Sequence, residues 1–299
     1  MRPALIVGCG YTGLRLAARL RAAELASPVV GTTRSEARAD ELAAAGADPL
    51  VGDVSGRELL GRIARLKPGL VVYFVPPRRS DPLAGLLSSL EQMGVRAFLY
   101  ASSTALYGDR GGGWVDETTA VRPESAAAKA RYAAEQLVLD AMDVAGLPAR
   151  ICRITGIYGP ERTLKGVLQS GDYVLIEGRD TWVNRIHVDD LVTGLIAVWQ
   201  RGVSGGIYNM ADDTPHRSSE FANLAAKLHG LPAPRWIEEA QARERFSAQR
   251  LRRKLDSKRV SNRRLREDLG VTLAYPTYKL GLPAAIAAEL HGNHPSAAP

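Results

Sequence analysis

The stretch Gly8-Cys9-Gly10-Tyr11-Thr12-Gly13 constrains this chain more than any other. It follows an apolar run, Ala4-Leu5-Ile6-Val7, and opens a helical pattern, Leu14-Arg15-Leu16-Ala17-Ala18-Arg19-Leu20. Glycines spaced G-x-G-x-x-G are a weak signal alone and a strong one between a strand and a helix. Gly8 permits the tight turn, Gly10 lets the backbone approach a pyrophosphate, and Gly13 lets the helix pack close on the strand. Backbone N–H groups around Tyr11 and Thr12, with the helix dipole, then stabilise the anion. The loop therefore predicts a bound dinucleotide.

Beyond the loop, alternation sets the fold class. Val29-Val30-Gly31-Thr32-Thr33, Asp48-Pro49-Leu50-Val51, Leu70-Val71-Val72-Tyr73-Phe74-Val75, Ala97-Phe98-Leu99-Tyr100-Ala101 and Ala149-Arg150-Ile151-Cys152-Arg153-Ile154 are nearly continuous apolar runs. Such runs suit parallel strands covered on both faces. Helical patterns lie between them near residues 35–45, 56–66, 82–93 and 126–145. The expectation is an α/β chain with a Rossmann-type doubly wound parallel sheet. Residues 1–160 would form the dinucleotide-binding domain, with 181–213 returning to it. Residues 161–180 look irregular and are expected to join residues 214–299 in a smaller, mostly helical, substrate-facing part. Val183-Asn184-Arg185-Ile186 and Ile207-Tyr208-Asn209 read as further strands, with Asp189 or Asp190 a cap for the helix between them. The tail from His291 is expected to be disordered.

With 299 residues, 45% hydrophobic and 24% charged, the chain has the composition of a globular protein with a large core. No apolar run reaches the roughly 18 residues of a membrane span. A strand begins almost at the N-terminus, so no signal peptide is expected. Cys9 and Cys152 are too few for a disulfide framework and suit small apolar positions. These features predict a cytoplasmic protein without membrane attachment. The net charge of +7 is local, since residues 243–266 carry eleven Lys or Arg against two acids. That segment suits a diphosphate or carboxylate, or a solvated surface. It lacks the interleaved aromatics of a nucleic-acid site, so nucleic acid is not the expected partner.

The end of the second strand bears on cofactor choice. An NAD site places an acid there, about 20 residues after the loop. This chain has Gly31-Thr32-Thr33-Arg34-Ser35 instead. Arg34 can pair with a 2′-phosphate, helped by the Thr33 and Ser35 hydroxyls, so NADP is expected over NAD. A solvated arginine at a helix start is the plainer alternative. Asp53 suits either an adenine contact or the cap of the next helix.

The fifth strand runs into Ala101-Ser102-Ser103-Thr104-Ala105-Leu106-Tyr107-Gly108. This stretch resembles the active-site strand of the extended short-chain dehydrogenase/reductases, the NAD-dependent epimerase/dehydratase family. Asp116-Glu117 and Pro123, Arg153-Ile154-Thr155-Gly156-Ile157-Tyr158-Gly159-Pro160, Asn184-Arg185-Ile186-His187-Val188-Asp189-Asp190 and Tyr208-Asn209 resemble further family segments in the same order. The resemblance spans about residues 1–285. It implies that Ser103 hydrogen-bonds the reacting oxygen. It further implies a tyrosine four residues before a lysine, the lysine binding the nicotinamide ribose and lowering the tyrosine pKa. Residues i and i+4 share one helix face, and an unperturbed phenol, with a pKa of about 10, needs such a cation.

Here the chain departs from the pattern. If Lys129 is the family lysine, the tyrosine position holds Ser125. If Glu135 sets the register, the pair becomes Ala127 and Arg131. Neither register supplies a tyrosine, so the chain resembles an atypical branch of the family. Proton transfer would then fall to Tyr107, Tyr132, Tyr158 or water, although each tyrosine also suits a packing role. Tyr275-Pro276-Thr277-Tyr278-Lys279 matches the spacing by chance, late in the chain and across a proline. Phe74-Val75-Pro76-Pro77 puts a stiff wall where the family has small residues. His187 suits a structural hydrogen bond, and no cluster has metal-ligand spacing. The resemblance implies redox-linked epimerase, dehydratase or reductase chemistry on a nucleotide-sugar-like or polyhydroxylated small molecule. The competing expectation is a catalytically degenerate NAD(P)-binding sensor or scaffold. A homo-oligomer is compatible with the sequence, which does not specify one.

Overall fold

The computed structural model describes residues 1–77 and 82–291. Residues 292–299 of the expected disordered tail lie outside the described residues. Seven strands form one parallel sheet: β1 (Ala4–Val7), β2 (Val29–Thr33), β3 (Asp48–Val51), β4 (Leu70–Tyr73), β5 (Ala97–Ser103), β6 (Ala149–Ile154) and β7 (Ile207–Met210). Their order is β3-β2-β1-β4-β5-β6-β7, with every neighbouring pair parallel. The order reverses between β1 and β4, which opens a crevice at their carboxyl ends.

The strands read as continuous apolar runs because both faces are covered. Ala4, Ile6, Val72 and Leu99 pack with Leu16 and Leu20 of α1 (Tyr11–Ala22) and with Leu191 and Leu195 on one face. Leu5, Val7, Val71 and Phe98 pack on the other with Leu59, Ile63, Leu86 and Val138. Successive strand residues alternate faces, so each run divides its side chains between two cores. Helices α2 (Ala39–Ala44), α3 (Arg57–Leu66), α4 (Leu83–Leu90) and α5 (Ala126–Ala145) fall in the four stretches of helical pattern.

Residues 161–180, expected to be irregular, contain a short helix, α6 (Lys165–Gln169), and a two-residue strand, Leu175–Ile176, paired with Trp236–Ile237. Two smaller apolar clusters extend this region, one around Tyr158, Leu168, Phe221 and Tyr278 and one around Val174, Ile176, Phe246 and Leu251. The helix α7 (Val188–Arg201) is capped by neither Asp189 nor Asp190. His187 is its cap, accepting the Asp189 N–H through Nδ1 at 3.2 Å. Asp190 instead accepts the N–H groups of Ala274 and Tyr275. Burial pushes the His187 imidazole down to about 3, which keeps it neutral and able to accept. Among the described residues, no helix is long and apolar enough to cross a membrane.

Candidate active site

The glycine loop divides its labour as its spacing predicts. Gly8 has φ +79°, and a Cβ there would lie 2.9 Å from Val75 Cγ2. A Cβ on Gly13 would lie 3.1 Å from Ile6 Cγ2 and 3.3 Å from the Cys9 sulfur, so this glycine admits α1 against β1. Gly10, immediately before α1, meets nothing nearer than 3.9 Å, which leaves its face open to an approaching group. Thr32 fixes the loop from β2: its hydroxyl accepts the Gly8 N–H at 2.9 Å and its carbonyl the Cys9 N–H at 3.0 Å. Both cysteines are buried, and burial pushes the Cys9 thiol up to about 12, away from reactivity.

A cavity of about 370 Å³ runs from Gly8 and Gly10 past Thr33, Arg34, Ser35 and Arg38 to Asp53, with Phe74, Val75 and Pro76 as a wall. Its lining could hold the adenosine end of a dinucleotide. Arg34 is exposed at its rim. Arg38, absent from the sequence expectation, brings a second guanidinium, paired with Glu41 at 2.8 Å. The Asp53 carboxylate shapes its own turn by accepting from Ser55, and Gly56 rather than Asp53 precedes α3.

Ser103 ends β5 and caps the following turn, its Oγ accepting the Ala105 N–H at 3.2 Å. That contact uses the Oγ as an acceptor and leaves its proton free to donate. Beside it, α5 settles the register that the sequence leaves open. Glu135 is buried, and one turn before it Arg131 donates to the Ala101 carbonyl of β5 at 3.0 Å. Arg131 and Ala127 therefore face the sheet end. Lys129 is exposed and stands about 200° round the helix from Arg131, so it does not share that face. Ser125 is the helix cap, its Oγ accepting the Ala128 N–H at 3.1 Å.

Two of the three proposed substitute tyrosines belong to the interior, whereas Tyr132, next to Arg131 on α5, is half-buried. Tyr107 and Tyr158 are both fully buried. The Tyr107 hydroxyl donates to Asn209 at 2.8 Å and accepts from Arg153 at 3.2 Å. Arg153 pairs bidentately with Glu135, which also accepts the Ser102 hydroxyl at 2.5 Å. This network joins β5, α5, β6 and β7 and explains why Ser102 is buried while Ser103 stays half-exposed. Tyr158 packs edge-on against His187 and Phe221, and burial pushes its phenol far up. Neither ring reaches a substrate. The Tyr-x-x-x-Lys at Tyr275 straddles Thr277, the cap of the last helix, so its two ends do not share a helix face.

The basic segment is neither a free surface nor a substrate clamp in bulk. Lys254 donates to the Val174 carbonyl, Arg259 to Gly112, and Lys258 to Gly108 and Asp256. Arg245 pairs with Asp172 and Arg266 with Asp213. Most of its cations thus fasten the C-terminal part to the rest of the chain. Among the described residues, no group of three or more His, Cys, Asp or Glu could hold a metal ion.

A parallel sheet with a glycine loop at its switch point, an open Gly10 and a serine at the end of β5 defines a dinucleotide-binding protein of the Rossmann class. The chain belongs to the NAD dependent epimerase/dehydratase family, whose description it matches over residues 4–211. It is 26% identical to the dTDP-glucose 4,6-dehydratase of Streptomyces griseus over 170 residues, 54% of this chain and 52% of that enzyme, so the match spans about half the enzyme's length. Protein YeeZ of Escherichia coli is 25% identical over 295 residues, covering 92% of this chain and 97% of that one. A solved structure of a functionally unknown conserved protein from Silicibacter pomeroyi is 32% identical, with a TM-score of 0.81 over 96% of this chain and 99% of that one.

Proposed function

We propose that the protein binds NADP(H) in preference to NAD(H) and performs redox-linked epimerase, dehydratase or reductase chemistry on a nucleotide-sugar-like or other polyhydroxylated substrate. The supporting observation is that the open glycine loop after β1, the Ser103 hydroxyl at the end of β5 and the Arg131 contact to Ala101 belong to the carboxyl halves of nearby strands in one parallel sheet. A bound nicotinamide would supply hydride exchange. Ser103 would donate to the reacting oxygen, and Arg131 would take the ribose role that Lys129 cannot reach. Arg34 and Arg38 support the 2′-phosphate, and the position directly after β2, where an acid would hold a bare 2′-hydroxyl, is Arg34. The dehydratase relative acts, by its name, on a nucleotide sugar, which motivates that substrate class.

One observation favours a second reading. Ala127 occupies the position one turn before Arg131, and two of the three replacement tyrosines, Tyr107 and Tyr158, are fully buried. A protein that binds the cofactor without turnover, as sensor or scaffold, fits that vacancy. Incubation with NADPH or NADP and a panel of nucleotide sugars, following reduced-nicotinamide absorbance, separates the two. Turnover that disappears in Ser103→Ala supports the enzyme. Tight cofactor binding with no turnover on any substrate supports the sensor.

A further inference from the structure

A second cavity, about 710 Å³, is lined by Arg15, Arg162, Lys165 and Arg185, with Glu161 and Glu289 as its acids. It shares no lining residue with the adenosine-end cavity. None of the four cations is ion-paired among the described residues. Glu289 is already engaged, accepting from the Glu161 N–H at 2.5 Å and the Thr163 hydroxyl at 3.0 Å. Arg185 is the telling member. It is half-buried, its guanidinium lies 3.7 Å from the centre of the Phe221 ring, and its buried Nε has no partner. Asp212 acts on it without an ion-pair contact, and a guanidinium partly withdrawn from water gains from an anion that completes it.

The cavity also touches the dinucleotide loop through one residue. The Arg15 and Arg162 guanidiniums each lie 4.0 Å from the centre of the Tyr11 ring. The Tyr11 hydroxyl donates to the Pro160 carbonyl at 2.7 Å, tying the loop to the turn that carries Arg162. Guanidinium forks suit the paired oxygens of phosphates and carboxylates.

We propose that this cavity is a second ligand site, taking a small multivalent oxyanion held by Arg15, Arg162, Lys165 and Arg185. Occupancy here and at the glycine loop would be coupled through Tyr11, and the coupling would be reciprocal. The site itself stands apart from the function proposed above; only that coupling rests on it.

The test is calorimetry of the full chain with two probes, inorganic pyrophosphate and malonate, after saturation with NADP or, failing that, NAD. The expected result is saturable binding near one per chain, weakened about tenfold or more in Arg185→Gln, as for loss of a charge-assisted fork. If Arg185→Gln fails to fold, the Arg162→Ala/Lys165→Ala double variant, altered at exposed positions, is expected to weaken both probes likewise. Tighter pyrophosphate assigns the site to phosphorylated ligands, and tighter malonate to carboxylates. Absence of saturable binding overturns the proposal, as does binding unchanged in these variants. Displacement of the probe by the dinucleotide overturns it as well, because the anion then belongs to the cofactor cleft. Pyrophosphate binding that persists in a chain unable to bind either dinucleotide would leave this site standing and count against the proposed function alone.

Discussion

The Arg131 guanidinium donates to the Ala101 carbonyl across 3.0 Å, linking α5 to the last residues of β5. That contact places a permanent cation against β5 two residues before Ser103, in the carboxyl half of an interior strand. An arginine there can hold hydroxyl groups, but it cannot lose its proton near neutral pH. On the proposed function it would serve binding and electrostatics, leaving proton transfer to Tyr132, water or the substrate itself.

Arg131→Ala is accordingly expected to weaken NADPH binding about tenfold, near 1.4 kcal/mol. Arg131→Lys should recover most of that loss, because it restores the charge, whereas Lys129→Ala should change little. Titration of nicotinamide fluorescence measures all three. Unchanged affinity in Arg131→Ala would remove this residue from the ribose site.

Arg34 and Arg38 make a separable prediction. If they meet a 2′-phosphate, Arg34→Ala and Arg38→Ala should each weaken NADP about tenfold and leave NAD within about twofold. The Arg38 effect should be the smaller, since Glu41 already competes for its guanidinium. Calorimetric titration of both cofactors gives the ratio, and a wild-type preference for NAD would refute the assignment.

The sheet was legible because its determinants are local and repetitive. Apolar runs mark β1 to β6 to within a few residues, and Gly8, Gly10 and Gly13 announce the crevice because their spacing falls between a strand and a helix. The active-site helix was legible only as two registers. The choice between Lys129 and Arg131 depends on the buried Glu135 and its partner Arg153, distant in sequence and joined only by the fold. Tyr107 and Tyr158 illustrate a related limit. A strand's carboxyl end brings a residue near the crevice, but side-chain direction decides whether it enters, and Asn209 and Phe221 draw these two inward. His187 was anticipated as a structural hydrogen-bonding residue, but its role as the cap itself appears only with the Asp189 N–H in place.

The Glu135–Arg153 pair is nearly inaccessible on both sides and spans 2.8 Å. Removing one member leaves the other charge buried without compensation, a loss of about 3–5 kcal/mol for such pairs. Glu135→Ala should therefore destabilise the fold strongly in urea denaturation. Glu135→Ala with Arg153→Met should cost less than the two single changes added together, because the double variant strands no charge. Additive losses would show that the two residues act independently.

The stability of the fold should also carry the signature of His187. Its imidazole has a folded pKa of about 3, depressed by burial from an ordinary 6.5. Between those values the unfolded chain holds a proton that the folded chain rejects, so stability is fully present above pH 6.5 and is lost as pH falls toward 3. His216, depressed to about 4 by burial, adds a loss of the same sign. Asp212 opposes them: burial raises it from 3.8 to about 8, so its contribution declines as pH rises through that window. The slope from His187 approaches about 1.4 kcal/mol per pH unit for one proton. His187→Asn retains a capping acceptor and has nothing to titrate. It should lower stability at pH 7 through lost contact with Tyr158 and Tyr275, yet flatten the decline between pH 6 and pH 4 by close to one proton. Urea unfolding at unit pH steps measures both effects. An undiminished slope in the variant would mean that His187 is protonated in the folded chain at these pH values, contrary to its burial.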